Sequence, residues 1–153
     1  MPKRPIPIFV YEDDPEFPQV FETAKEEAAS RSDRVQCVEQ TVATDRRAFD
    51  DIVSTNLLEQ SYLALVDISI DGDPTEGIRA ISELRAREDC AQLPIVVFSA
   101  SGDKKTRESA YKAGATSYVK KPARDAKRAA ALGEILSYWL DRHSLIDAPK
   151  PAA

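Results

Sequence analysis

Apolar residues along the chain follow two rhythms. Short runs rich in β-branched and aromatic residues occur at Ile6–Tyr11, Val35–Val42, Tyr62–Val66, Ile95–Phe98 and Thr116–Val119. Three of these are apolar on both faces, which suits strands buried in a parallel sheet. Pro7 lacks an N–H, so the paired part of the first strand is expected to begin just after it. Between the runs, Phe17, Val20, Phe21, Ala24 and Ala28 recur at helical spacing, as do Phe49, Ile52, Val53 and Leu57, and Ile78, Ile81 and Leu84. Asp14-Pro15 reads as the start of the first helix, with an N-cap carboxylate and a first-turn proline. A fourth helix over Lys104–Ala113 should stop at Gly114. A fifth carries Leu132, Ile135, Leu136, Trp139 and Leu140 on one stripe, and the last residues, DAPKPAA, read as a disordered tail over 147–153.

Strand and helix thus alternate five times, the pattern of an α/β protein with a doubly wound parallel sheet and right-handed crossovers. Ligands of such sheets gather outside the carboxyl ends of the strands. The residues expected there are Glu12 and Asp13 after the first strand, Asp67 after the third, Ser99 after the fourth and Lys121 after the fifth. The second strand delivers nothing comparable, as an edge strand would. Carboxylates clustered without histidine or thiolate suit a hard cation, Mg²⁺ or Ca²⁺. A nearby ammonium and hydroxyl suit phosphoryl oxygens. Taken alone, Glu12-Asp13-Asp14 reads better as a solvated loop with a helix cap. Asp67, following a largely apolar run, is costly to bury without a partner.

Composition narrows the field. The 153 residues suffice for one domain with a real core, and a net charge of −5 argues against general nucleic-acid binding. No apolar stretch is long enough to span a bilayer, and MPKRPIPIF lacks a signal-peptide core. Two cysteines, Cys37 and Cys90, make neither a disulfide framework nor a metal pattern and read as reduced thiols of a cytoplasmic protein. The single histidine, His143, reads as structural or solvated.

Together these positions resemble the receiver domain of two-component response regulators over nearly the whole chain. An acidic pair closes the first strand, an aspartate the third, a serine the fourth and Lys-Pro the fifth, and "IVVFSASGD" and "AYKAGATSYVKKPA" are similar to the family's corresponding segments. The resemblance implies a flavodoxin-like (βα)5 receiver over residues 1–146 with strand order 2-1-3-4-5. It implies that Asp67 is the phosphoacceptor, taking its phosphoryl group from a histidine kinase or histidine phosphotransfer protein. Glu12, Asp13, Asp67 and the backbone carbonyl of Ser69 would hold Mg²⁺. Lys121 would pair with Asp67 and then with the phosphoryl group, and Ser99 would bond a phosphoryl oxygen. Tyr118 occupies the switching aromatic position, with a simple half-buried strand aromatic as the alternative reading. Asp14 matches no required acid and is assigned to capping, and the Lys121–Pro122 peptide is expected to be cis, as is usual in the family.

The implied protein is a stand-alone signalling switch that catalyses only its own phosphoryl transfer and dephosphorylation. It would signal to a downstream protein target, with no nucleic acid or membrane, through the fourth helix, fifth strand and fifth helix. A homodimer would use the same face. Tyr138, Leu145 and Ile146 fall partly off the fifth helix's stripe, a sign of such a surface unless the chain's own sheet absorbs them. Lys104, Lys105, Arg107, Lys112, Arg124, Lys127 and Arg128 read mostly as solvated charges on that side.

The sequence departs from the family in "DISIDGDPTEG", two residues longer than usual after the phosphoacceptor, with Pro74 displaced and Gly77 in the family's glycine position. The insertion places Asp71, Asp73 and Glu76 beside the site, which would make its entrance more acidic. The stretch from Asp13 to Asp67 is also long, which is read as extended first and second helices. Two other functions fit the same acids: a pseudo-receiver that is never phosphorylated, and a Mg²⁺-dependent phosphohydrolase. The second normally wants an aspartate where Ser69 stands. A flavin-binding domain fits worst, because the acids would repel a flavin phosphate.

Overall fold

Strands β1 (Ile6–Tyr11), β2 (Val38–Ala43), β3 (Ala64–Val66), β4 (Ile95–Ser99) and β5 (Ser117–Lys120) form one sheet in the order β2-β1-β3-β4-β5. Every neighbouring pair is parallel, in a computed structural model that describes residues 4–30 and 32–142. This is the doubly wound order expected above. The helices are α1 (Phe17–Ala28), α2 (Arg46–Val53), α3 (Leu57–Gln60), α4 (Glu76–Arg85), α5 (Lys104–Ala113) and α6 (Asp125–Ser137). His143, Leu145, Ile146 and the 147–153 tail lie outside the described residues. Among the described residues no helix is long and apolar enough to cross a membrane.

Alternation along the strands builds two cores. Ile8 and Val10 face Phe21 of α1 and Leu132 and Leu136 of α6 on one side of the sheet. Phe9 and Tyr11 face Phe49 of α2 and Ile81 and Leu84 of α4 on the other. The predicted stripe from Leu132 to Leu140 is buried throughout, Trp139 included. Cys37 and Cys90 are both free, and burial pushes the Cys90 thiol up to about 11.

Four local expectations are revised. Pro7 lies inside the ladder, opposite Glu39 of β2. The amide of Phe9 donates toward β3, to the Leu63 carbonyl, so by alternation the missing Pro7 donor faces that same side, before the β3 ladder starts at Phe9. Val35–Cys37 forms a 3₁₀ turn, fixed by the Val35 amide donating to Ser32 Oγ at 3.2 Å, so β2 begins only at Val38. The second helix is not extended. It stops at Val53, where the Ser54 and Thr55 hydroxyls donate to the carbonyls of Asp51 and Ile52, and a separate single turn, α3, follows. The cap of α1 is Glu16, which makes no side-chain cap bond, and Pro18, not Pro15, is its first-turn proline. Asp14 acts one step earlier, accepting from the Glu16 amide at 3.0 Å.

Candidate functional site

Parallel strands all deliver their C-terminal residues to one edge of the sheet, so side chains far apart in sequence meet there. Glu12 follows β1, Asp67 follows β3 and Lys121 follows β5. Lys121 Nζ donates to Glu12 Oε2 at 2.6 Å and to Asp67 Oδ2 at 3.1 Å. Glu12 and Lys121 are only 3 % and 8 % exposed, so this is a charge cluster largely withdrawn from water. Three other carboxylate oxygens of the cluster accept from backbone amides. Asp14 N–H donates to Glu12 Oε1 at 3.1 Å, Ile68 N–H to Asp67 Oδ1 at 2.7 Å and Asp71 N–H to Asp13 Oδ2 at 2.8 Å.

Glu12, Asp13 and Asp67 each offer an oxygen, all within 4.8 Å of one another. Three carboxylates against one ammonium leave an excess of negative charge when all are ionised. Burial first, and then repulsion from Asp67, pushes Glu12 up to about 7 despite the Lys121 charge. Lys121 is itself raised: burial opposes its charge, but Asp67 and Glu12 outweigh it. A compact set of hard oxygen donors with unbalanced negative charge fits a divalent cation of the Mg²⁺ type, so the cluster can hold a metal.

Ser99 ends β4, 2 % exposed, and its carbonyl accepts the Lys121 amide at 2.7 Å, tying the two strand ends together. Its hydroxyl oxygen accepts the Ser101 amide at 3.3 Å. Tyr118 is half-buried in β5 and donates its hydroxyl to the Ser101 carbonyl, so it braces the loop that leaves Ser99. Ser69 is exposed between buried Ile68 and Ile70. Gly77 packs directly beneath Asp67: a Cβ there would lie 2.0 Å from the Asp67 carbonyl oxygen, and no side chain fits.

Three expectations fail at this site. The Lys121–Pro122 peptide is trans, and the lysine reaches both carboxylates without a cis bond. Glu76 does not line the entrance. It is buried, accepting from the Tyr11 hydroxyl at 3.1 Å and from Arg46 at 3.0 Å, while Arg46 also pairs with Glu83. Arg128 is not a solvated charge but joins two loops at the rim, its Nε donating to the Pro122 carbonyl at 2.7 Å and its NH1 lying 3.7 Å from Asp14 Oδ2. No local sequence signal marks Glu76 or Arg128, because their partners lie on other elements.

The sequence profile of the response regulator receiver domain matches residues 8–132. The chain belongs to the response regulator receiver family. The receiver's fold is shared by solved structures at low identity. The phosphorylated cyanobacterial phytochrome response regulator RcpA has 18 % identity and a TM-score of 0.76, with 94 % of this chain and 99 % of that one covered. The Mn²⁺-bound response regulator Rcp1 has 19 % identity and a TM-score of 0.68, with 94 % and 100 % covered. Response regulator RPA3017 of red light signalling in R. palustris has 20 % identity and a TM-score of 0.69, with 93 % and 99 % covered. No curated protein matches the chain. The receiver fold is that of a signalling switch, and at its strand ends this chain carries the acidic cluster of Glu12, Asp13 and Asp67.

Proposed function

We propose that this receiver accepts a phosphoryl group on Asp67 from a histidine kinase or phosphotransfer protein, with Mg²⁺ held by Glu12, Asp13, Asp67 and the Ser69 carbonyl. The observation that carries the reading is Lys121 Nζ in simultaneous contact with Glu12 and Asp67. A carboxylate oxygen of Asp67 forms a bond to phosphorus as the phosphorus–nitrogen bond to the donor imidazole breaks, giving an acyl phosphate. A Mg²⁺ ion held by these residues would supply neutralising charge for the phosphoryl oxygens. Lys121, freed from Asp67, follows the new charge, and the Ser99 hydroxyl donates to a phosphoryl oxygen. Tyr118 is bonded to the loop after Ser99, so motion of that loop releases its hydroxyl and changes the surface of α5, β5 and α6. That surface, with Tyr111 49 % exposed on α5, is the output face toward a protein target or a second copy.

The phosphodonor approaches from the side of α1. Pro15, Glu16, Gln19 and Val20, with Asp125 and Ala126 at the start of α6, line an open groove at the same end of the sheet as the acids. A helical donor seated there would bring its histidine to the acid cluster.

The test is incubation with acetyl phosphate and Mg²⁺, read by intact mass and Phos-tag mobility. One phosphoryl adduct is expected, lost in Asp67→Asn and on chelation. No adduct, or one that survives Asp67→Asn, would favour the interaction module that is never phosphorylated.

A further inference from the structure

The loop after Asp67 folds into a hairpin that reaches back to the acid cluster. The Ile70 amide donates to the Asp73 carbonyl at 3.2 Å and the Asp73 amide to the Ile70 carbonyl at 2.9 Å. Between them Asp71 and Gly72 have φ of 52° and 76°, the two left-handed residues of a type I′ turn, for which Asp-Gly is a favoured pair. The stem is firmly held. Ile68 and Ile70 are buried in the core, and the Gly77 amide donates to the Ile68 carbonyl at 2.8 Å. Asp73 accepts from the Thr75 amide and hydroxyl, and Glu76 is locked between Tyr11 and Arg46.

The tip does one thing more. Glu12 and Asp67 are oriented by Lys121 as well as by an amide, whereas among the described residues the Asp71 amide is the only donor bonded to the Asp13 carboxylate. Asp13 is half-buried in the loop after β1, and this bond is the one that orients its carboxylate. A donor on one oxygen fixes the plane of the carboxylate and hence where its other lone pairs point. Partners of this kind tune metal affinity without touching the ion.

We propose that the Ile70–Asp73 hairpin is the positioning element for Asp13, and that the Asp71 backbone amide, not the Asp71 carboxylate, sets the affinity of the cluster for a divalent cation. The inference rests on the metal-binding reading above. It gives the inserted residues a role in the site in place of a bare increase in surface acidity.

Gly72 allows a clean test, because a Cβ there meets nothing within 4 Å and a substitution acts through φ alone. Gly72→Val strains the turn and Gly72→Ala strains it less, while Gly72→Asn retains a residue that tolerates positive φ. Asp71→Asn removes the charge and keeps the amide. Full-length variants are compared by Mn²⁺ electron paramagnetic resonance and Mg²⁺ calorimetry, with urea unfolding to confirm the fold. Gly72→Val is expected to weaken binding about tenfold, the range for loss of an outer partner, and Gly72→Ala less. Gly72→Asn and Asp71→Asn should stay within about twofold of the parent, since both keep the amide in place. Should Gly72→Val fail to fold, Gly72→Ala against Gly72→Asn carries the comparison. Parent-like binding by the strained variants, or a loss in Asp71→Asn as large as theirs, overturns the proposal. A parent that binds neither ion overturns the metal reading itself, a different and separable result.

Discussion

Lys121 and Glu12 show how single residues set the electrostatics of the receiver. The ammonium lies between two carboxylates and occupies the position of counter-charge that a bound cation would share. Replacing it leaves buried acid without a counter-charge, so Lys121→Met should destabilise the metal-free protein by about 3 kcal/mol at pH 8, measured by urea unfolding. Glu12 makes the pH dependence specific. In the folded state it takes up a proton below about 7, whereas in the unfolded chain it does so only near its ordinary value of 4.5. Between these values the folded state binds more protons, so stability falls as pH rises through the window. The metal-free protein should therefore be more stable at pH 5 than at pH 8, by at most about 3 kcal/mol, and Glu12→Gln should flatten the slope. Lys121, whose own value is raised, loses its contribution only in the alkaline range and does not produce this trend.

At the scale of elements, capping and turn chemistry decide where the chain changes direction. Asp45 caps α2, accepting from the Ala48 amide at 2.8 Å, and Asp45→Ala should cost about 1 kcal/mol in unfolding free energy. Arg85 serves the opposite end of the sheet from the acids. Its guanidinium donates to the carbonyls of Cys90, Leu93 and Gly114 at 2.9, 3.0 and 2.8 Å, fastening the turns that lead into β4 and β5. Arg85→Ala should lower stability by about 2 kcal/mol and leave Mg²⁺ affinity unchanged, a pairing checked by urea unfolding and calorimetry. Most element identities were legible, because both apolar rhythms are strong and Gly114 marks a stop. The errors lie where a side chain intercepts the backbone. Ser32 holds Val35 in a turn, Ser54 and Thr55 end α2, and neither effect appears in apolar spacing.

For the whole molecule, the converging strand ends could be read from the sequence because a parallel sheet sends every carboxyl end the same way, whereas the strand order followed only from the resemblance to receivers. Acids, hydroxyl and ammonium at those ends needed no other information to be placed together. The inward turn of Glu76 and the bridge made by Arg128 could not be read, since each depends on a partner 30 or more positions away. The groove between α1 and α6 gives a further test on this scale. Val20→Arg should slow transfer from a protein donor about tenfold, as truncated docking contacts do, while leaving acetyl phosphate labelling unchanged. Equal loss with both donors would place the defect in the acid cluster and not in docking. Gly77 has a broader consequence. Its amide grips the main chain beside Asp67 and its missing side chain lets α4 touch that main chain without a gap. The end of β3 and the first turn of α4 therefore pack as a single crank, so a push on the acid's backbone is expected to reach the helix directly.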